Sequence, residues 1–294
     1  MRNLDRKQNN ALMMFVSSML IFGTIGIFRR YIPLSSGFLA FARGLIGGLF
    51  LLIFVKVKRK RVFVSLDKKI LIYLIVSGAL IGFNWILLFE AYNYTTVSTA
   101  TLCYYMQPII VILTSPLIFR EKLTVKKLLC AMGAIIGMVF VSGASVGQQN
   151  GSIQGILFGL GAALLYAIVV IMNKKLTSVD AFDKTIIQLL SAAIALLPYL
   201  LITGTFGGLE FGGRTMILLL IVGIVHTGIA YVLYFGSIEN LKAQTIALFS
   251  YVDPVSALLF SAILLHESFT IKGLIGAIMV LGAAILSERD QKPE

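Results

Sequence analysis

The sequence predicts an all-α membrane protein: ten transmembrane helices arranged as two inverted five-helix repeats. Three observations carry this. The 294-residue chain is 58% hydrophobic and 13% charged, with a mean hydropathy of +0.94; a soluble domain carries roughly 25% charge. Residues 88–139 align without a gap to residues 234–285 at one constant offset, the 146 positions between Pro108 and Pro254. Lys and Arg crowd onto alternate loops, as a chain threading a bilayer requires.

The spans follow in order. A polar, basic start precedes the apolar run 11–28, which ends on Arg29 and Arg30 with no small-residue cleavage site. A retained first helix is expected rather than a removed leader. Further apolar runs cover 36–55, 70–89, 95–119, 128–141, 153–172, 182–203, 215–235, 245–265 and 271–286. Most approach the ~20 residues that cross a hydrocarbon layer. Helices are the form expected, because lipid satisfies no open backbone group. The domain reading is a first repeat at 1–142, a linker at 143–152, a second repeat at 153–288 and a tail at 289–294.

Orientation follows from charge. With both termini in the cytoplasm, inside segments hold 20 of the 25 Lys and Arg, outside segments hold four, and Arg43 lies in a span. The net charge of +12 is then a topology signal beside anionic lipid rather than a nucleic-acid footprint. Five spans per half is an odd number, so the second copy must run upside down. The loops agree: residues 120–127 carry four cations with Glu121 and Thr124, whereas residues 266–273 keep Glu267 and Thr270 with only Lys272. Inverted repeats with a site between them are a common transporter design. Glycine pairs at Gly78/Gly82, Gly133/Gly137 and Gly155/Gly159 permit close helix contact, for tight packing or for sliding.

Candidate chemistry clusters at mid-membrane. Pro108 and Pro254 are expected to kink their helices. The residues before them are polar: Tyr104, Tyr105 and Gln107 in one copy, Ser250, Tyr251 and Asp253 in the other. A carboxyl at that depth costs roughly 2.5–3.5 kcal/mol on insertion scales, so Asp253 must face protein or water. It either binds a substrate amine or a coupling proton, or it pairs with Arg43. Arg43 either grips a substrate carboxylate or locks a helix interface. Glu90 is a second structural or coupling charge. Asn84 and Trp85 lie inside the third span, and the offset places Trp85 on Tyr231. An aromatic wall there suits planar or amine-bearing solutes, with His226 as a proton relay, a substrate contact or a satisfied core histidine. No catalytic constellation, nucleotide loop, cofactor motif or metal-ligand spacing is present. Cys103 and Cys130 lie in apolar runs and read as packing residues.

The stretch from Phe83-Asn84-Trp85 to Thr101, continuing through Tyr104-Tyr105-Met106-Gln107-Pro108 to Glu121-Lys122-Leu123-Thr124, resembles the EamA family of the drug/metabolite transporter superfamily. Pro254 and Glu267 echo it in the second copy. The resemblance implies a central cavity lined by the third, fourth, eighth and ninth helices, with help from the first and sixth. It also implies a bacterial cytoplasmic-membrane permease, of a kind that often exports amino acids or related metabolites. The expected partners are a small-molecule substrate, the lipid bilayer and a coupling proton, with the chain acting as monomer or homodimer. Two rivals stand beside a transporter. A channel wants a continuous polar stripe. A membrane metabolite sensor binds without transport.

Overall fold

A computed structural model of the protein describes residues 2–58, 67–119, 124–146, 153–174, 176, 179–208, 212–238, 240–241, 249–267 and 270–288. Among the described residues every regular element is helical. The first half contains α1 (Arg2–Gly23), α2 (Ile25–Arg30), α3 (Ser36–Lys58), α4 (Lys68–Tyr94), α5 (Val97–Tyr104), α6 (Gln107–Phe119) and α7 (Val125–Val146). The second contains α8 (Ile153–Lys174), α9 (Ala181–Ile202), α10 (Gly213–Leu220), a π-helical stretch (Ile221–Ile229), α11 (Ala230–Ile238), α12 (Val252–Leu264) and α13 (Ile271–Glu288).

Among the described residues seven helical segments are long and apolar enough to cross a membrane: Gln8–Arg30, Ser36–Lys58, Lys68–Tyr94, Val97–Thr114, Ile153–Asn173, Ala181–Ile202 and Gly213–Ser237. Shorter apolar stretches occupy Leu128–Gly137, Val252–Leu264 and Ile271–Ala283. Large side chains such as Leu117, Ile202 and Ile271 stand exposed, as a lipid-facing surface permits. The motif residues Glu121, Thr245 and Leu248, much of the linker and the tail lie outside the described residues.

Three of the long segments are interrupted, each for a local reason. Thr24 separates α1 from α2, and its hydroxyl donates to Ile21 O at 2.8 Å in competition with the backbone ladder. Tyr105 and Met106 form a turn between α5 and α6, with Met106 N bonded to Cys103 O at 3.1 Å. Pro108 is the second residue of α6, and Pro254 is the third of α12. Both prolines therefore sit in a first helical turn, where the missing N–H has no intrahelical partner to lose. The sequence suggested a kink in a continuous helix; the structure has half-helices that start at the proline. The third interruption is the π stretch, whose i−5 spacing is seen where Ala230 N donates to Val225 O.

Packing interleaves the two halves. α4 lies against both α8 and α9, α3 against α9 and the π stretch, α1 against α11 and α12, and α7 against α13. Glycines set the closest approaches. A Cβ at Gly78 would meet Gln188 O at 2.5 Å, and one at Gly137 would meet Gly276 O at 2.8 Å. These contacts fit the dry interhelical surfaces that small residues make in membranes. One apolar cluster unites α3, α4 and α9, including Leu39, Leu51, Phe89, Ile186, Leu189 and Leu196. A second unites α5, α6, α7 and α13. The site lies between them.

Candidate functional site

A cavity of about 530 Å³ opens between the half-helices. At its centre Asp253, in the first turn of α12, accepts a 2.6 Å hydrogen bond from the Tyr105 hydroxyl through Oδ2. The break between α5 and α6 makes this contact, because it lets Tyr105 leave the helix track. Across the space, the Arg43 guanidinium lies 4.3 Å from the centre of the Trp85 ring. Its Nε donates to Thr227 Oγ1 at 2.9 Å. The π stretch is what places Thr227 there. A cation held flat on an indole face gains from the ring quadrupole and keeps its planar fork in one orientation.

Aromatic rings complete the walls. Tyr104 stacks on Tyr166 at 5.5 Å, and Phe22 meets Tyr231 edge-on at 5.5 Å. Tyr92, Tyr234 and Phe235 add further surface. Towards the ends of α8 and α9 the lining turns polar, with Asn173, Lys184, Thr185 and Gln188. Gln188 Nε2 donates to Ser77 Oγ at 2.7 Å and to Asn173 Oδ1 at 2.8 Å, tying α9 to α4 and α8.

Beyond the other end of the lining, Glu267, which follows α12, ties that helix to the start of α5. Its Oε1 accepts from Val97 N at 2.8 Å, and its Oε2 accepts from Ser98 N at 3.1 Å and Ser98 Oγ at 2.9 Å. Val97 and Ser98 open α5, and Thr96 Oγ1 caps the next amide, Thr99 N, at 3.1 Å. Glu267 thus supplies two of the partners that a helix start leaves wanting. Arg30 lies 3.8 Å from the same carboxylate and also donates to Thr95 O. Ser98 and Ser261, both fully buried, are hydrogen-bonded to each other across the two halves. His266 takes φ 53°, a left-handed value uncommon outside glycine, and so turns the chain to aim Glu267 inward.

Among the sequence candidates, Trp85, Tyr104, Gln107, Pro108, Tyr231, Ser250, Asp253 and Arg43 all line this one cavity. Four do not. Asn84 is buried between α4 and α8, donating to Ala162 O at 2.6 Å. His226 is buried on the α1–α2 break, with Nε2 2.9 Å from Thr24 Oγ1 and its ring 4.6 Å from that of Phe28. Glu90 accepts from Asn93 Nδ2 at 3.3 Å near the Glu267 end of α4. Pro254 is buried in α12. The sequence candidates omitted Tyr92, Tyr166, Asn173, Lys184 and Gln188. Tyr105, one of the polar residues noted ahead of Pro108, lines the cavity as well. α3 and α9 contribute to the lining, beyond the helices that the resemblance implied. Among the described residues no three His, Cys, Asp or Glu side chains gather as metal ligands.

The family model described as the EamA-like transporter family matches residues 9–143 and again residues 153–288. The chain belongs to that family. This EamA-like protein is a multi-pass membrane transporter. It is 28% identical over 287 residues to the uncharacterized transporter YxxF of Bacillus subtilis, covering 96% of this chain and 91% of that one. It is 22% identical to the uncharacterized inner membrane transporter YicL of Salmonella typhimurium, covering 93% of each. A solved crystal structure shares the fold at a TM-score of 0.66 and 18% identity, covering 96% of this chain and 98% of that chain.

Proposed function

We propose that this EamA-like protein is a secondary active transporter that exports a small metabolite from the cytoplasm by alternating access. The substrate is an amino acid, an amine or a heterocycle. In this reading ten transmembrane helices form two inverted five-helix repeats, with both termini in the cytoplasm of a bacterial cell. One observation carries it. Beyond one end of the cavity the Glu267 contacts tie α12 to α5, and at the other the lining reaches half-buried polar residues, Asn173 and Lys184. One closed and one accessible end is what a gated carrier presents, and a channel needs a continuous path. The charge distribution supports the orientation, because the Lys184 end is the one predicted inside.

Substrate lies against Trp85, Tyr104 and Tyr231, with Gln107 and Ser250 as hydrogen-bonding partners. Asp253 takes a substrate amine or a coupling proton. Asn84 and His226 hold the surrounding helices in place.

The test is counterflow in proteoliposomes with labelled amino acids, polyamines and nucleobases. A carrier gives saturable uptake that is accelerated by unlabelled solute on the far side. Linear flux without acceleration identifies a channel, and binding without flux identifies a sensor. Asp253→Asn, which keeps an acceptor for Tyr105 but removes the charge, lowers uptake about tenfold or abolishes its pH dependence. Unchanged uptake and unchanged pH dependence remove Asp253 from the mechanism.

A further inference from the structure

Among the described residues lining the cavity three carry charge: Arg43, Lys184 and Asp253. The single anion is already engaged, with Tyr105 donating to it at 2.6 Å. The two cations are not neutralised. Among the described residues no carboxylate lies within ion-pair distance of Arg43, whose Nε alone is taken, by Thr227. Lys184 Nζ donates to Leu176 O at 3.0 Å, one bond for an ammonium with three N–H groups. The acids nearest in sequence, Asp180 and Asp183, do not line the cavity. Asp180 turns its carboxylate onto the amides of Phe182 and Asp183 at the start of α9. The cavity is therefore positive whether Asp253 is charged or neutral. Apolar walls around it make that charge act at longer reach than in water.

We propose that the cavity selects solutes bearing a carboxylate or another anionic group, captured at Lys184 in the mouth and passed to Arg43 on the Trp85 face, and that it excludes simple cations. This rests on the transport reading for its purpose and narrows it: an amino acid or an acidic heterocycle fits, and a polyamine does not. Asp253 then serves the amine of a zwitterion. Lys184 touches the substrate anion first, at the mouth. Arg43 touches the substrate anion.

The cavity holds its own reporter, because Trp85 is the one tryptophan in the chain. Collisional quenching of Trp85 in detergent by iodide, caesium and neutral acrylamide reads the sign of the cavity field without any substrate. Scaled to free tryptophan, iodide should quench at least about threefold better than caesium at low ionic strength. Lys184→Gln should cut that ratio about twofold with acrylamide quenching unchanged, and Lys184→Arg should restore it. Caesium matching iodide overturns the proposal. So does a ratio indifferent to Lys184→Gln, or quenching by none of the three. A matched pair of ligands adds a second readout: 3-phenylpropionate should perturb Trp85 fluorescence at a concentration at least about tenfold below phenethylamine. The reverse order overturns the proposal as well. A positive field with no counterflow would refute the transport reading and leave the charge selectivity standing.

Discussion

The two ends of the cavity use the same device, a carboxylate on a helix N-terminus, with opposite results. At the start of α9, Asp180 caps amides two and three residues ahead of it. At the start of α5, Glu267 caps amides 169 and 170 residues away. Either cap satisfies amides that would otherwise be orphaned. The local cap satisfies amides of its own helix and leaves the neighbouring Lys184 on the cavity lining. The distant cap cannot form unless α12 and α5 meet, so its free energy is spent on closure. In the proposed cycle contact order, more than chemistry, decides which helix start serves as a gate.

The largest effect should come from breaking the distant cap. Glu267→Ala removes three hydrogen bonds to a charged group and the Arg30 ion pair. Bonds to charge contribute about 1.5–3 kcal/mol each at most, and part returns as water enters. A net bias of about 2 kcal/mol towards opening corresponds to roughly thirtyfold in population. A cysteine at Thr101, on the cavity side of Ser98, reports it in a background lacking Cys103 and Cys130. An impermeant thiol reagent applied from the Glu267 side should label it roughly thirtyfold faster. The local cap gives the contrast: Asp180→Ala should cost about 1 kcal/mol of stability and leave that labelling rate alone. Equal labelling in both variants would mean that Glu267 does not gate.

A middle-sized effect belongs to Arg43. Arg43→Lys keeps the charge and loses the planar stack on Trp85 and the Nε contact to Thr227. Affinity for an anionic solute should fall about tenfold, with a shift in the Trp85 emission maximum. An unaltered emission spectrum would show that the stack is not kept in solution.

How much of this was legible in the sequence varies with the range of the interaction. Composition and apolar runs reveal the helices, because a bilayer imposes length and polarity on every span separately. The repeat offset led to Trp85, Tyr231, Gln107 and Asp253, since homologous positions converge on one cavity. Lys184 reads in sequence as one more inside lysine, and nothing local separates it from a loop cation. Tyr166 falls on Leu20 under the offset, so the repeat carries no signal for it. The π stretch leaves no mark in the composition, although it sets the position of Thr227 and hence of Arg43. Glu267 stood out only as a retained motif residue; its role at α5 depends on a fold that the motif does not encode.

The smallest effect tests a residue that sequence and structure place differently. Asn84 neighbours Trp85 and was a substrate candidate, yet its side chain is fully buried against α8 with Nδ2 on Ala162 O. Interhelical hydrogen bonds in membranes average about 0.6 kcal/mol, because the separated helices also find partners. Asn84→Ala should therefore lower the melting temperature by only about 1–2 °C. The half-saturation constant for transport should not move. Trp85→Phe, one position along the same helix, removes a cavity wall and should raise that constant several-fold at about the same melting temperature. If Asn84→Ala instead shifts the constant and leaves stability unchanged, α4 must turn its Asn84 face towards substrate during the cycle, and the static placement of the two neighbours would not describe the transporting state.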